Sequence, residues 1–421
     1  MKFMNPLSRR KFDRKTINDL PGLLLDILLY VTCFFPFVEI VYIGSDTQPY
    51  GALVSLFVVI IYICHNFKVT SKGYLIMALI GILVGASALV SLFRISVYMV
   101  FRSYFGYFSM IVIPLAVFFS MKKNGGMNDT LVKACIWIWF LVGAIQKYVN
   151  PTFGYVLLSR HTTNAQRGTV SLASEPSAYG YMCLFMILLA FGLKKNAKLY
   201  ILLLLVQIVA FAGSTVTLVY LAAYVGFYML NEILLGKKFA LAKVVFLGIA
   251  GFGGLLLIQK FASGIPRMHT LVNLLFTDPT RLLKDGSIQM RLEDIVFSFR
   301  SFWENHMLPH GLSEQKLMSG VGTLFYECGF IAIPLLVTIG MVIWKGYSRN
   351  IRLVCVLGFM VVMMSSIPFS SPMVCFYLGY CVYQGWERAN KKAEERLELA
   401  DEPPVWYCGK LYRKKAETNI Q

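Results

Sequence analysis

Residues 159–193 read SRHTTNAQRGTVSLASEPSAYGYMCLFMILLAFGL. The first half is a polar run holding Arg160, His161, Arg167 and Glu175. The second half, from Pro176 to Leu193, is apolar and carries no charge. A helix needs roughly 20 apolar residues to cross a bilayer core, and charged groups strung along the mouth of such a span point to the handling of something polar. The rest of the chain decides which side of the membrane that mouth faces.

Outward from this stretch the apolar pattern repeats. Of 421 residues, 57% are hydrophobic and 15% charged, with a mean hydropathy of +0.63. Soluble domains average about 45–50% apolar and about 25% charged residues. The expected fold class is therefore an all-α polytopic integral membrane protein of about twelve spans. These fall near 22–43, 50–67, 74–92, 96–120, 131–149, 176–193, 198–213, 215–231, 240–259, 321–344, 351–367 and 372–386. The break Gly213-Ser214 separates the least secure pair, and the two prolines in 367–372 mark a second tight turn.

The net charge of +18 resembles a nucleic-acid signature, but the basic residues sit in short breaks between spans. Alternate connections carry Lys68 and Lys72, then Lys122, Lys123 and Lys133, then Lys194, Lys195 and Lys198. Lys237, Lys238 and Lys243 follow, and then Lys345, Arg349 and Arg352. The intervening short turns carry only Arg94. Positive residues concentrate on the cytoplasmic side, so both termini are expected inside and the long loops 150–175 and 260–320 outside. Residues 1–21 form a basic cytoplasmic N-terminus that reads as an anchor and not as a cleaved signal peptide. Residues 22–386 form the transmembrane domain, and 387–421 a charged cytoplasmic tail, a solvated helix with a loose end. Nucleic acid is not an expected partner.

Nearly all nine cysteines lie inside apolar spans and none makes a CxxC pair, which argues against disulfides and zinc. No Walker A, Rossmann or G-x-S-x-G pattern is present. No metal and no cofactor is expected.

In the second long loop Ile288, Leu292, Ile295, Phe299 and Phe302 share one helical face, and Arg291, Asp294, Ser298 and Ser301 share another. This is an amphipathic helix suited to the membrane–water interface, broken at Pro309-His310-Gly311. Arg160, Arg167, Arg267, Arg281, Arg291 and Arg300 would all face outward, against the charge bias. Guanidinium forks bind phosphate and pyrophosphate bidentately, although lipid headgroups would also attract them. Glu175 precedes Pro176, with Ser174 as the expected N-cap. Its carboxylate either complements the helix dipole, at about 0.3–1 kcal/mol, or serves as general base or substrate ligand. Glu327 poses the same choice within a span. Arg102 stands in the middle of span 96–120 and is expected to turn into the bundle, paired with an acid such as Glu39 or Glu327 or binding an anion. Of the outward histidines, His310 is the best candidate for a site role.

Arg167-Gly168, Ser174-Glu175-Pro176-Ser177, Gly213-Ser214-Thr215-Val216-Thr217, Ser287-Ile288-Gln289-Met290-Arg291, Pro309-His310-Gly311 and Tyr326-Glu327-Cys328-Gly329-Phe330-Ile331 occur in that order. Together they resemble the Wzy-type O-antigen and capsular polysaccharide polymerases of bacteria, from about Tyr98 to Phe330. The family's Arg-x10-Gly pattern fits Arg300 to Gly311 but not Arg160 or Arg167.

The resemblance implies a metal-independent, GT-C-like membrane glycosyltransferase in the bacterial cytoplasmic membrane. Its substrates are undecaprenyl-pyrophosphate-linked oligosaccharides within membrane lipid, with a chain-length regulator and a flippase of the same pathway as further partners. It also implies Glu175, Arg167 and Arg291 as catalytic residues. Arg160, Arg300, Arg102, His310 and Glu327 would bind pyrophosphate or glycan. An O-antigen ligase type and a lipid-linked oligosaccharide flippase are the rival expectations. A flippase would show two related halves around a charged cavity, whereas charge here concentrates in two loops.

Overall fold

The computed structural model describes residues 20–39, 48–64, 97–161, 168–236, 286–401, 405–407 and 410–412, and the isolated positions 242, 245, 248 and 249. Expected spans 74–92 and 240–259, apart from those isolated positions, lie outside the described residues. So do Arg167, Arg267 and Arg281. Helices are α1 (Leu20–Phe34), α2 (Tyr50–Cys64), α3 (Val97–Asn124), α4 (Asp129–Tyr148), α5 (Pro176–Ala190) and α6 (Ala197–Val206). They continue with α7 (Thr215–Leu234), α8 (Gly286–Glu304), α9 (Gly320–Cys328), α10 (Ala332–Gly346), α11 (Arg352–Val362) and α12 (Pro372–Asp401). A short antiparallel hairpin, Val405–Tyr407 with Lys410–Tyr412, follows in the tail.

Among the described residues four helical stretches are long and apolar enough to cross a membrane. They are Val100–Asn124, Asp129–Tyr148, Thr215–Leu234 and Gly320–Gly346. Five shorter apolar helices accompany them. Apart from that hairpin the described residues are helical in their regular structure, and the apolar helices are those of a membrane protein.

The helix at the centre is α5. Every residue from Ala178 to Ala190 is buried, as is Pro176, which is what a helix apolar on all sides requires. It crosses α7 closely, because a Cβ on Gly180 would meet Thr217 Oγ1 at 2.4 Å. Small residues permit such approach between membrane helices. On its other side, Phe35, Trp139 and Tyr179 stack in series, at 5.9 and 5.4 Å between centroids.

Two ends of the bundle can be told apart. At one, Asp26 accepts from Ser120 (2.6 Å) and Asn124 (2.7 Å). There too the Lys194 amide donates to Asp129 (2.9 Å), and Arg352 Nε donates to the Tyr347 carbonyl (2.8 Å). The basic turns at 122–133, 194–198 and 345–352 gather at this end. At the opposite end lie residues 150–161 and 168–175, the 213–214 turn, α8 and the 363–371 turn. There Thr169 N donates to Phe211 O (2.9 Å), and Gly320 N to Ser365 O (2.7 Å).

Several elements depart from the sequence expectation. The N-cap of α5 is Glu175, not Ser174, in extended backbone and without a side-chain cap bond. The expected span 198–213 is α6 finished by a π-helical turn, Gln207–Ala212. The span 321–344 is interrupted. Gly329, at φ +55°, lies so close to Met307 O that a Cβ would stand 2.5 Å from it, and Phe330 N donates to that carbonyl at 2.8 Å. The last span and the helical tail form one unbroken helix, α12.

Candidate functional site

Two polar clusters occupy the end opposite the lysine-rich turns. The first forms where α5 and α7 begin. The chain leaves its loop at Gly168, φ +91°, pressed against the Ala212 carbonyl, where a Cβ would lie at 2.3 Å. Any other side chain there would meet backbone that cannot yield. Gln146 of α4 then clamps the segment. It accepts from Ser171 N (2.6 Å) and donates to Ser171 O (2.9 Å) and Phe153 O (2.8 Å). The Ser171 hydroxyl donates to Trp139 O at 2.9 Å. Four residues later Glu175 caps α5, and the Ser177 hydroxyl contacts its carboxylate.

Arg291 reaches this place from α8. It is buried to 9% exposure, and its guanidinium approaches the Tyr181 hydroxyl. Glu175 acts on the same hydroxyl electrostatically, and Tyr220 of α7 lies alongside, its ring 5.8 Å from that of Tyr181. Helical side chains lean toward the N-terminus of their helix. Tyr181 and Tyr220, each in the second turn of its helix, therefore project toward the mouth. The result is a cation and a carboxylate about one buried tyrosine, with the first turns of two helices beside them. Helix N-termini favour anions.

The second cluster surrounds Glu327 on α9, 5% exposed. Tyr107 of α3 donates to its Oε2 at 2.6 Å, and the Ser313 amide to its Oε1 at 2.8 Å. The Ser103 and Ser313 hydroxyls are in contact. His310 stacks on Tyr326, 4.2 Å between centroids and 13° from parallel. Its buried Nδ1 has no hydrogen-bond partner among the described residues. The clusters share α8: Phe297 stacks on Tyr326, and Ser298 packs against Gly322.

The structure thus brings together Glu175 and Arg291, and separately Glu327 and His310. It does not do so for Arg300, Arg102 and Arg160, the other candidates among the described residues. Arg300 is exposed, nine positions from Arg291 on the same helix, which at 3.6 residues per turn is the opposite face. Arg102 is exposed and not turned into the bundle. The expectation placed it mid-span, but it is the sixth residue of α3, in the first two turns, as its position in 96–120 already implied, and there a charge can reach the interface. Arg160 is exposed on the loop, next to the 158–38 bridge. The expected polar face of α8 is the buried one, with Arg291, Ser298 and Ser301 inward and Leu292 and Phe299 outward. Phe302 departs from that pattern and packs on Phe325 at 5.2 Å. Tyr107, Tyr181, Ser171 and Gln146 were not singled out by the sequence. Each lies in an apolar or weakly polar run, and nothing local distinguishes a tyrosine that meets a charge from one that fills space.

Among the described residues no group of three His, Cys, Asp or Glu side chains could hold a metal ion. No protein-family model and no curated protein matches this chain.

Proposed function

We propose that this protein is a glycosyltransferase of the bacterial cytoplasmic membrane that polymerises undecaprenyl-pyrophosphate-linked oligosaccharide repeat units. The full domain then has about twelve spans and a GT-C-like plan. The lysine-rich end is cytoplasmic by the positive-inside tendency, and the clusters face outward. The observation that carries the reading is the burial of Arg291 beside Tyr181, with Glu175 at the N-cap of the same, most buried helix.

In the reaction, a hydroxyl of one lipid-linked repeat unit attacks the anomeric carbon of the growing glycan. The bond from that carbon to the pyrophosphate oxygen breaks as the new glycosidic bond forms. The hydroxyl proton passes to Glu175, and undecaprenyl pyrophosphate leaves with the bonding electron pair. Arg291, desolvated and oriented by its neighbours, stabilises the negative charge that develops on the departing oxygen. Glu327, held by Tyr107 and Ser313, and His310 belong to the glycan-binding wall.

The test is extraction of lipid-linked glycans from a deletion strain complemented with variants. Loss of long chains with single repeat units retained on lipid is expected for the deletion and for Arg291→Ala, in protein that inserts normally. Long chains that persist on undecaprenyl but fail to reach lipid A would instead establish the ligase reading. Repeat units trapped on the cytoplasmic face would establish the flippase one.

A further inference from the structure

The most exposed apolar residues of the chain include a group that neither cluster uses. Tyr148, Val149, Phe153, Val156 and Leu157 follow one another at the end of α4 and in the loop beyond it. Val149 is 79% and Val156 93% exposed. No charged side chain occurs between Lys147 and Arg160. Loop tips that meet water are ordinarily polar, and this one is not.

One observation says what covers it, and a second is compatible with that cover. The first is continuity. Trp137, Leu141 and Tyr148 are exposed on α4, and at 3.6 residues per turn they form a single stripe. That helix is one of those long and apolar enough to cross a membrane. The stripe runs without interruption onto the loop. The second is the backbone. The amides of Val149 and Asn150 donate to Ile145 O, both at 2.9 Å, and that of Thr152 to Asn150 Oδ1 at 3.0 Å. Those of Phe153, Tyr155, Leu157 and Leu158 donate to carbonyls of the same segment at 3.0–3.1 Å. The Thr152 hydroxyl donates to Asn150 Oδ1 at 2.9 Å. A segment entering lipid needs such internal pairing, because nothing there replaces the lost hydrogen bonds. Turns facing water make such bonds as well, so this pairing permits contact with lipid and the continuity of the stripe is what selects it.

We propose that residues 148–157 form an apolar knob seated in the lipid leaflet beside α4. There it tethers the near end of the 150–175 loop to the membrane. Tyr148 and Tyr155 sit at the headgroup level, where aromatic residues are enriched. The backbone beyond the knob is tied back to the bundle through Glu39 N, which donates to Leu157 O at 2.8 Å. The inference holds whether or not the protein handles glycans.

The experiment is spin labelling of Val156→Cys in full-length protein, with Cys64→Ser and Cys408→Ser to remove competing thiols, reconstituted in phosphatidylglycerol–phosphatidylethanolamine vesicles. Val156 makes no buried contact that the label would displace, and native elution in size-exclusion chromatography confirms folding. The expected result is collision with oxygen several-fold more frequent than with a water-soluble nickel chelate, together with the reverse ordering for a label at Glu314→Cys. Frequent collision with the nickel chelate at position 156 would show a water-facing loop and overturn the proposal. Infrequent collision with both reagents would show a protein cover, from a second copy or a partner, and would overturn it equally.

Discussion

Gln146→Leu isolates the contribution of the clamp that holds the loop before Glu175. The side chain is 2% exposed and makes three hydrogen bonds, to Ser171 N (2.6 Å), Ser171 O (2.9 Å) and Phe153 O (2.8 Å). Leucine fills a similar volume but pairs with none of these groups. An unsatisfied buried donor or acceptor costs about 1–3 kcal/mol. Three such groups lose this partner together, so a loss of at least about 3 kcal/mol is expected. Part of that loss will appear as local opening. Ser171 has φ +51°, a conformation that a serine adopts at a cost and keeps only when its surroundings enforce it.

Two measurements check this. Unfolding in mixed micelles reads the global term, and hydrogen exchange of 168–175 reads the local one. Gln146→Glu retains the acceptor for Ser171 N but sets a carboxylate oxygen against two carbonyls in a buried site, and should destabilise at least as much as Gln146→Leu. Unchanged exchange at 168–175 in Gln146→Leu, with stability within about 0.5 kcal/mol of wild type, would refute the clamp.

Gly180→Ala should destabilise by about 1–3 kcal/mol through overpacking, since its Cβ would meet Thr217 Oγ1 at 2.4 Å. Adding Thr217→Gly should restore part of the loss in the same unfolding assay. Tyr107→Phe removes the donor to Glu327 Oε2. A double-mutant cycle with Glu327→Gln should give a coupling of about 1–3 kcal/mol, and additivity would show that the pair does not interact. In the complementation assay Arg300→Ala should retain polymer length while Arg291→Ala loses it, because the two side chains leave α8 on opposite faces. Equal loss in both would remove the distinction drawn between them.

The location of these clusters was partly legible beforehand. Glu175 stood out because a carboxylate preceded Pro176 and an unbroken apolar run, and Arg291 because it shared a helical face with Asp294, Ser298 and Ser301. That face proved to be the buried one. Arg102 and Arg300 stood behind Arg291 in the sequence reading, as residues that would bind pyrophosphate or glycan. Its place near the start of α3 set the first apart, and the rotation of α8 the second. Arg167 lies outside the described residues, and its role rests on the resemblance alone.

By itself the sequence determined the class of the protein, the grouping of lysines in alternate connections, and the amphipathic character of 286–304. These follow from hydropathy and charge, which each residue contributes locally and which add along the chain. Only the tertiary structure decided that Arg291 is buried beside Tyr181, that Tyr107 and Ser313 hold Glu327, and that Gln146 holds Ser171. Those pairings join helices far apart in the chain. They depend on how closely α5 can approach α7 and on which side of α8 turns inward. Such distances and rotations arise from packing, and no local property of the residues records them.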